Sequence, residues 1–150
     1  MAFSPDGKTI ASASGDYTVK LWDRNGNLLS ILEDDSYWLY SVAFSPDGNT
    51  IISASAGPAV RLWDRNGTLI NTLEGHSDEV LFSPNGETIA SASLDGTVKL
   101  WDRNGTLLNT LKGYSDTVKD VAFSPDGETI VSEGGRWEEL WDRNGTLLKA

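Results

Sequence analysis

The sequence predicts an all-β fold made of four equivalent units, each a small antiparallel sheet. Two recurring blocks and one absence predict it. The first block, Leu-Trp-Asp-Arg-Asn-Gly, occurs at Leu21–Gly26, Leu62–Gly67, Leu100–Gly105 and Leu140–Gly145. Its tryptophans, Trp22, Trp63, Trp101 and Trp141, stand 41, 38 and 40 residues apart. A fixed period of that size marks a repeat architecture. The second block, Phe-Ser-Pro-Asp-Gly, begins at Phe3, Phe44 and Phe123, and as Phe-Ser-Pro-Asn-Gly at Phe82. The absence is of any sustained 3.6-residue apolar period, which excludes a helix longer than a turn.

Each unit reads as four short strands. In the third, Thr88–Ser93 is a strand of small side chains, against which something bulky can pack. Thr97–Trp101 is the next, with Val98 and Leu100 on one face and Lys99 and Trp101 on the other. Thr106–Leu111 is another, and the remaining strand precedes Ser83. The turns agree with this division. In Ser-Pro-Asp-Gly, proline presets φ at the second position of a type I turn and glycine suits the last. In Asp-Arg-Asn-Gly, Asn and Gly tolerate the positive φ of a bulged hairpin.

Composition narrows the function. The chain of 150 residues has no cysteine, so disulfides and thiolate metal sites are excluded. Its net charge of −10 argues against nucleic acid and against anionic membrane surfaces. No apolar run approaches membrane-spanning length, and no basic-then-apolar leader is visible. These features favour a cytoplasmic protein, and they fit a fragment cut from a larger exported protein as well.

Phe-Ser-Pro-Asp-Gly, Ser-Ala-Ser-x-Asp-Gly-Thr-Val-Lys-Leu-Trp-Asp and Gly-His together resemble the Trp-Asp (WD) repeat of β-propellers, in the highly repetitive form found in bacteria and cyanobacteria. The resemblance covers nearly the whole chain. It implies a single array of four blades, at about 1–33, 34–74, 75–112 and 113–150, each a twisted four-stranded sheet packed radially on its neighbours. It also implies a hydrogen-bonded tetrad of Trp, Ser, Asp and His. Only the third unit has all its members, as His76, Ser91, Asp95 and Trp101. The first keeps Ser12, Asp16 and Trp22. The second has Ser53 and Trp63, with Asp35 and Gly57 at the other positions. The fourth has Ser132 and Trp141, with Tyr114 in the histidine position and no clear aspartate. Half-made buried networks cost stability, so units two and four are expected to be less rigid.

Three departures stand out. Only Met1 and Ala2 precede Phe3, so the first strand of unit one is cut short. The chain from Gly75 to Phe82 is three residues shorter than that from Gly113 to Phe123, so the first strand of unit three is clipped or shifted. Unit four is one residue short between its serine and tryptophan and has lost Thr-Val-Lys. Four blades make about half of the seven- or eight-bladed ring that the resemblance implies. Two half-rings about a two-fold axis, giving a homodimer of eight blades, are expected in preference to a closed four-bladed monomer.

No catalytic constellation is visible, no cofactor is indicated, and no metal site is expected. His76 is the one histidine, and the tetrad accounts for it. The aspartates Asp6, Asp47, Asp126, Asp23, Asp64, Asp102 and Asp142 recur around one face; turn chemistry explains them better than cation binding does. The best candidate contact surface is aromatic. Tyr37, Trp38 and Tyr40 replace Asp, Thr and Lys of unit four, and Tyr17, Tyr114, Arg136 and Trp137 are expected on the same face. Trp38 can instead pack into a neighbouring blade. The preferred reading is a non-catalytic scaffold that binds a protein or peptide and self-assembles. A second reading is a structural fragment or engineered assembly unit without a ligand, suggested by the near identity of the units and by a Met placed directly in a strand. A third is a propeller-type hydrolase or lyase, for which fold alone is no argument.

Overall fold

The computed structural model describes residues 1–33, 37–75, 78–113 and 116–150. These form four sheets of four antiparallel strands, each a simple meander. The first holds β1 (Ala2–Phe3), β2 (Thr9–Ala13), β3 (Thr18–Asp23) and β4 (Leu28–Glu33). The second holds β5 (Leu39–Phe44), β6 (Thr50–Ser55), β7 (Ala59–Asp64) and β8 (Leu69–Glu74). The third holds β9 (Glu79–Phe82), β10 (Thr88–Ala92), β11 (Thr97–Asp102) and β12 (Leu107–Lys112). The fourth holds β13 (Asp120–Phe123), β14 (Thr129–Gly134), β15 (Trp137–Asp142) and β16 (Leu147–Lys149).

The two turns of each sheet behave as their sequences require. In Ser4-Pro5-Asp6-Gly7, the Gly7 amide donates to the Ser4 carbonyl at 2.9 Å, and Gly7 has φ 69°. The Ser4 hydroxyl donates to Asp6 at 2.6 Å and accepts the Thr9 amide at 2.9 Å. The same web recurs at Ser45, Ser83 and Ser124. After Trp22, the Asp23 carboxylate accepts the Asn25 and Asn27 amides, and the β3–β4 register slips by one at Leu21/Trp22. That slip is the expected bulge, and it recurs before Trp63, Trp101 and Trp141.

First strands lie beside first strands: β1 against β5, β5 against β9, β9 against β13. Each also packs on the second strand of the preceding sheet. Among the described residues no fourth strands meet as closely, so the sheets fan outward from their first strands. Between neighbours lie the cores. Ala11, Val19, Leu21 and Leu32 of the first sheet pack on Leu39, Val42, Ile51 and Trp63 of the second. Ile52, Ala54, Val60, Leu62 and Leu73 meet Val80, Ile89 and Trp101. Ala90, Ala92, Val98, Leu100 and Leu111 meet Val118, Val121, Ile130 and Trp141. Every joint has one design: a trailing face of small and branched residues receives an Ile and a Trp from the next leading face.

The two end faces have no such cover. On the leading face of the first sheet, Phe3 is 71% exposed, and Trp22 is half-buried where the other three repeat tryptophans are 4–5% exposed. On the trailing face of the fourth, Val131 is 40% exposed, whereas its equivalents Ala11, Ile52 and Ala90 are fully buried.

Strand β1 has two residues, as its truncated start predicts, and β9 has four against six in β5. Yet β13 also has four, so the shorter approach to β9 costs no strand length relative to unit four. The missing residue of unit four is absorbed in the β14–β15 hairpin. There Gly134 pairs with Trp137 around a two-residue turn led by Gly135 at φ 62°, which suits a type II′ hairpin.

The difference between filled and bare faces is measurable. Ile89→Ala is expected to lower the unfolding free energy by about 2–5 kcal/mol. Val131→Ala, on a face that no blade of its own chain covers, should change that of the single, unassociated chain by less than ~1 kcal/mol. Urea titrations of the two variants compare them directly.

Candidate functional site

The strand directions divide the molecule into two rims. The Ser-Pro-Asp-Gly and Asp-Arg-Asn-Gly turns gather at one. The β2–β3 type of hairpin and the starts of the first strands gather at the other.

The first rim is polar and self-satisfied. Asp6, Asp47 and Asp126 are held below the usual carboxylate range, chiefly by the serine hydroxyl two residues before each. Asp23 is held low chiefly by the Asn27 side chain, and Asp102 by the Thr106 amide. Their oxygens are thus engaged by their own turns. Among the described residues, no group of three or more His, Cys, Asp or Glu side chains is arranged to hold a metal ion. This rim also ties blades together. Asn71 donates to the Asn104 carbonyl and Asn109 to the Asn144 carbonyl, each at 2.7 Å, and Arg103 lies 3.6 Å from Asp47.

The second rim carries the aromatics. Tyr17, in the β2–β3 turn, has φ 70°, a left-handed conformation a bulky residue rarely adopts. It lines a shallow cleft of about 190 Å³ with Tyr37, Trp38 and Ala56, at the joint of the first two sheets. The Tyr37 ring lies against Gly57, where any side chain would overlap it. Gly57 therefore stands in the aspartate position because an aromatic ring needs the space. Trp38 does not pack into a neighbouring blade: it is 59% exposed, while its carbonyl accepts the Ala56 amide at 2.8 Å. Tyr40 is the extra residue of a β-bulge, since Leu39 pairs with Ser55 and Ser41 with Ala54. The bulge turns Tyr40 outward, as bulges near functional surfaces do. Arg136 and Trp137 occupy the β14–β15 hairpin of the same rim, both exposed. They are separated from the Tyr17–Tyr37–Trp38 cleft by the third sheet, whose matching turn presents the exposed Leu94. Leu94 escaped the sequence reading because it is one apolar residue inside an otherwise standard hairpin. Tyr114 lies outside the described residues.

The tetrad positions divide similarly. Trp22, Trp63, Trp101 and Trp141 each donate an indole N–H to the serine of the preceding strand, at 2.9–3.0 Å. In unit three that serine is Ser91, and Asp95 accepts the Thr97 amide and hydroxyl at 3.0 and 2.6 Å. His76 and Asp35 lie outside the described residues. In unit four an acid not foreseen from the sequence joins the network. Glu139 is 1% exposed and accepts from the Ser132 hydroxyl at 3.4 Å. It packs so closely on Gly113 that a side chain there would overlap its carboxylate. The signal was available: Glu139 occupies the position of Lys20, Arg61 and Lys99, a reversal of charge at a position otherwise always basic.

An acid pair, Glu79 and Asp120, lies where the first strands begin. Burial raises the Glu79 pKa, and the Asp120 carboxylate raises it further, while the Ser41 hydroxyl at 3.5 Å partly offsets both.

Two stability predictions follow from these contacts. Ser91→Ala leaves the buried Trp101 N–H unpaired and should cost about 1–3 kcal/mol. In the single, unassociated chain Ser12→Ala should cost less, because Trp22 is half-buried there; thermal melts of both variants at concentrations that keep the chain single give the ranking. For Glu79, a raised folded pKa means that ionisation opposes folding once pH exceeds the unfolded value, near 4.3. Glu79→Gln should therefore stabilise the chain at pH 7, and the gain should vanish below about pH 4. The turn aspartates act in the opposite sense. Their stabilisation is present above about pH 4 and is lost as pH falls through their depressed values. Denaturant titrations across pH separate the two effects.

Comparison with known proteins agrees with this geometry. The family model described as WD domain, G-beta repeat matches residues 1–23, 26–64, 67–102 and 105–137. An uncharacterised WD repeat-containing protein of Synechocystis sp. is 54% identical over 37 residues, covering 23% of this chain. The match spans only 11% of that protein's length. WD-repeat domains serve in general as non-catalytic scaffolds for protein–protein contact. With four matched repeats, four four-stranded sheets and one Trp–Ser bond in each, the chain belongs to the WD-repeat family.

Proposed function

We propose that this chain is a non-catalytic scaffold that binds a protein or peptide through its aromatic rim. The observation behind the reading is the cleft of Tyr17, Tyr37 and Trp38, with Tyr40 turned out beside it. Large exposed aromatic rings are costly to leave in water, and they are the side chains that anchor interfaces. Tyr37, Trp38 and Tyr40 are the primary contact residues, and Tyr114, Arg136 and Trp137 extend the surface toward the fourth unit. The four units, at about 1–33, 34–74, 75–112 and 113–150, each serve as one blade. Within unit three, His76 completes the tetrad with Ser91, Asp95 and Trp101, a reading supported by the Trp101–Ser91 bond.

The scaffold works as an assembly. Two copies about a two-fold axis complete a ring of eight blades, each covering the other's end faces. The support is that both end faces leave apolar side chains uncovered, Phe3 and Trp22 on one side and Val131 on the other. Continuous exposed apolar faces mark association sites.

A displayed random-peptide library selected on the immobilised protein tests the rim. Selected peptides should lose about tenfold or more in affinity on Trp38→Ala, with Tyr40→Ala also weakening them. Peptides that bind both variants as tightly as the parent would move the contact surface elsewhere. Light scattering after size exclusion, over a concentration series, tests the assembly. The expected mass is that of two chains, and a single-chain mass at every concentration would rule the ring out.

A further inference from the structure

The two end faces are not simply internal joints left open. At the filled joints, the upper part of the trailing face carries paired apolar residues: Ala13 opposite Val19, Ala54 opposite Val60, Ala92 opposite Val98. The matching pair in the fourth sheet is Glu133 opposite Glu138. Two carboxylates thus face the same way from directly opposed positions, in the one trailing face no blade covers. Both are exposed, as are Val131 beside them and Lys149 at the far side of the face. Val131, Glu138, Leu140 and Lys149 line an open cleft of about 390 Å³. Like charges directly opposed across strands are destabilising on their own, and burying them without a cation is more so.

The opposite end supplies a cation at the matching level. Lys20 lies on the leading face of the first sheet, paired in register with Ser12. On this bare face its ammonium turns back to Asp16 at 2.8 Å. Its equivalent at a filled joint behaves differently. Lys99 reaches across to the preceding sheet, where a Cβ on Gly75 would lie 2.6 Å from its ammonium. At this filled joint the lysine thus crosses to the neighbouring blade. Lys149 stands where Asn71 and Asn109 donate to a turn carbonyl of the next blade, and an ammonium can make the same contact with Asn25 of a second copy.

We propose that the occupant of the fourth sheet's trailing face is the first sheet's leading face of a second copy, and that the joint is keyed by charge. Glu133 and Glu138 face Lys20 of the second copy, while Ile10, Trp22 and Phe3 of that copy cover Val131 and Leu140. The inference rests on the assembly proposed above and specifies its joint. It also explains selectivity. Two leading faces brought together would oppose lysine to lysine and leave both sets of protruding Ile and Trp side chains without a receiving face. Two trailing faces would collect four carboxylates against only two Lys149 ammonium groups, and supply no Ile or Trp. Only trailing against leading satisfies both shape and charge, which is discrimination by repulsion as well as attraction.

Complementation by mixing tests this. Lys20→Glu and the double change Glu133→Lys/Glu138→Lys are made separately in the full chain, with circular dichroism and thermal melts to verify folding. By sedimentation velocity, each variant alone should dissociate at concentrations about tenfold or more above the parent's dissociation range. An equimolar mixture should regain the two-chain mass, because each mixed pair then has one joint of parent charges and one of swapped charges. Single variants that assemble like the parent, or a mixture that stays at single-chain mass, would overturn the charge key while leaving a two-chain parent intact. A parent chain that is itself single at every concentration would overturn the key and the ring together.

Discussion

Everything in this fold depends on the joint between neighbouring sheets. A four-stranded sheet of this sequence has two apolar faces and no means of covering either. One face carries small and branched residues, as at Ala90, Val98 and Leu100; the other projects a long Ile and a Trp, as at Ile89 and Trp101. Stacking puts the large residues of one sheet into the recess of the one before. The Trp is held in its rotamer by the Ser bond, made at 2.9–3.0 Å in all four units. That bond satisfies the indole N–H inside an apolar joint, where an unpaired donor is expensive. It survives in units that have lost other tetrad members because the Trp cannot be buried without it.

The joint leaves the two rims free to diverge. Turns at the polar rim are nearly identical in all units, since each supports a register that places Ile and Trp correctly. Their aspartates are consumed by local hydrogen bonds. The opposite rim has no such duty, and there the units differ most: Tyr17, Leu94 and Trp137 occupy corresponding hairpins, and Tyr40 is extruded by a bulge. Recognition chemistry accumulates where the scaffold does not need uniformity.

Fold class, strand number and turn types were legible because they repeat, and four agreeing copies average out local ambiguity. The alternation of Lys99 and Trp101 against Val98 and Leu100 gave the two faces of β11, and the structure has the same assignment. What was not legible depended on neighbours distant in sequence. Nothing around Gly57 announces that Tyr37 will lie on it, and the exposure of Trp38 depends on where the β6–β7 turn runs. Glu139 was missed for another reason. Units one and three carry their acid in the hairpin loop, as Asp16 and Asp95, whereas unit four brings one from the middle of a strand. The shortened lead into β9 goes with a strand of four residues, two fewer than β5 and as many as β13.

The nearly identical Asp-Arg-Asn-Gly turns have an evolutionary consequence. Each falls at the same register point, and each sheet closes its own hydrogen bonds within about 35 residues of chain, near the period of the array. Unequal recombination between two copies of the turn's coding sequence would add or remove one whole period. The chain would rejoin in frame at an unstrained hairpin, with every remaining Trp still facing a recess of the right shape. Blade number in such a lineage can therefore change in single steps without passing through an unfolded intermediate sequence.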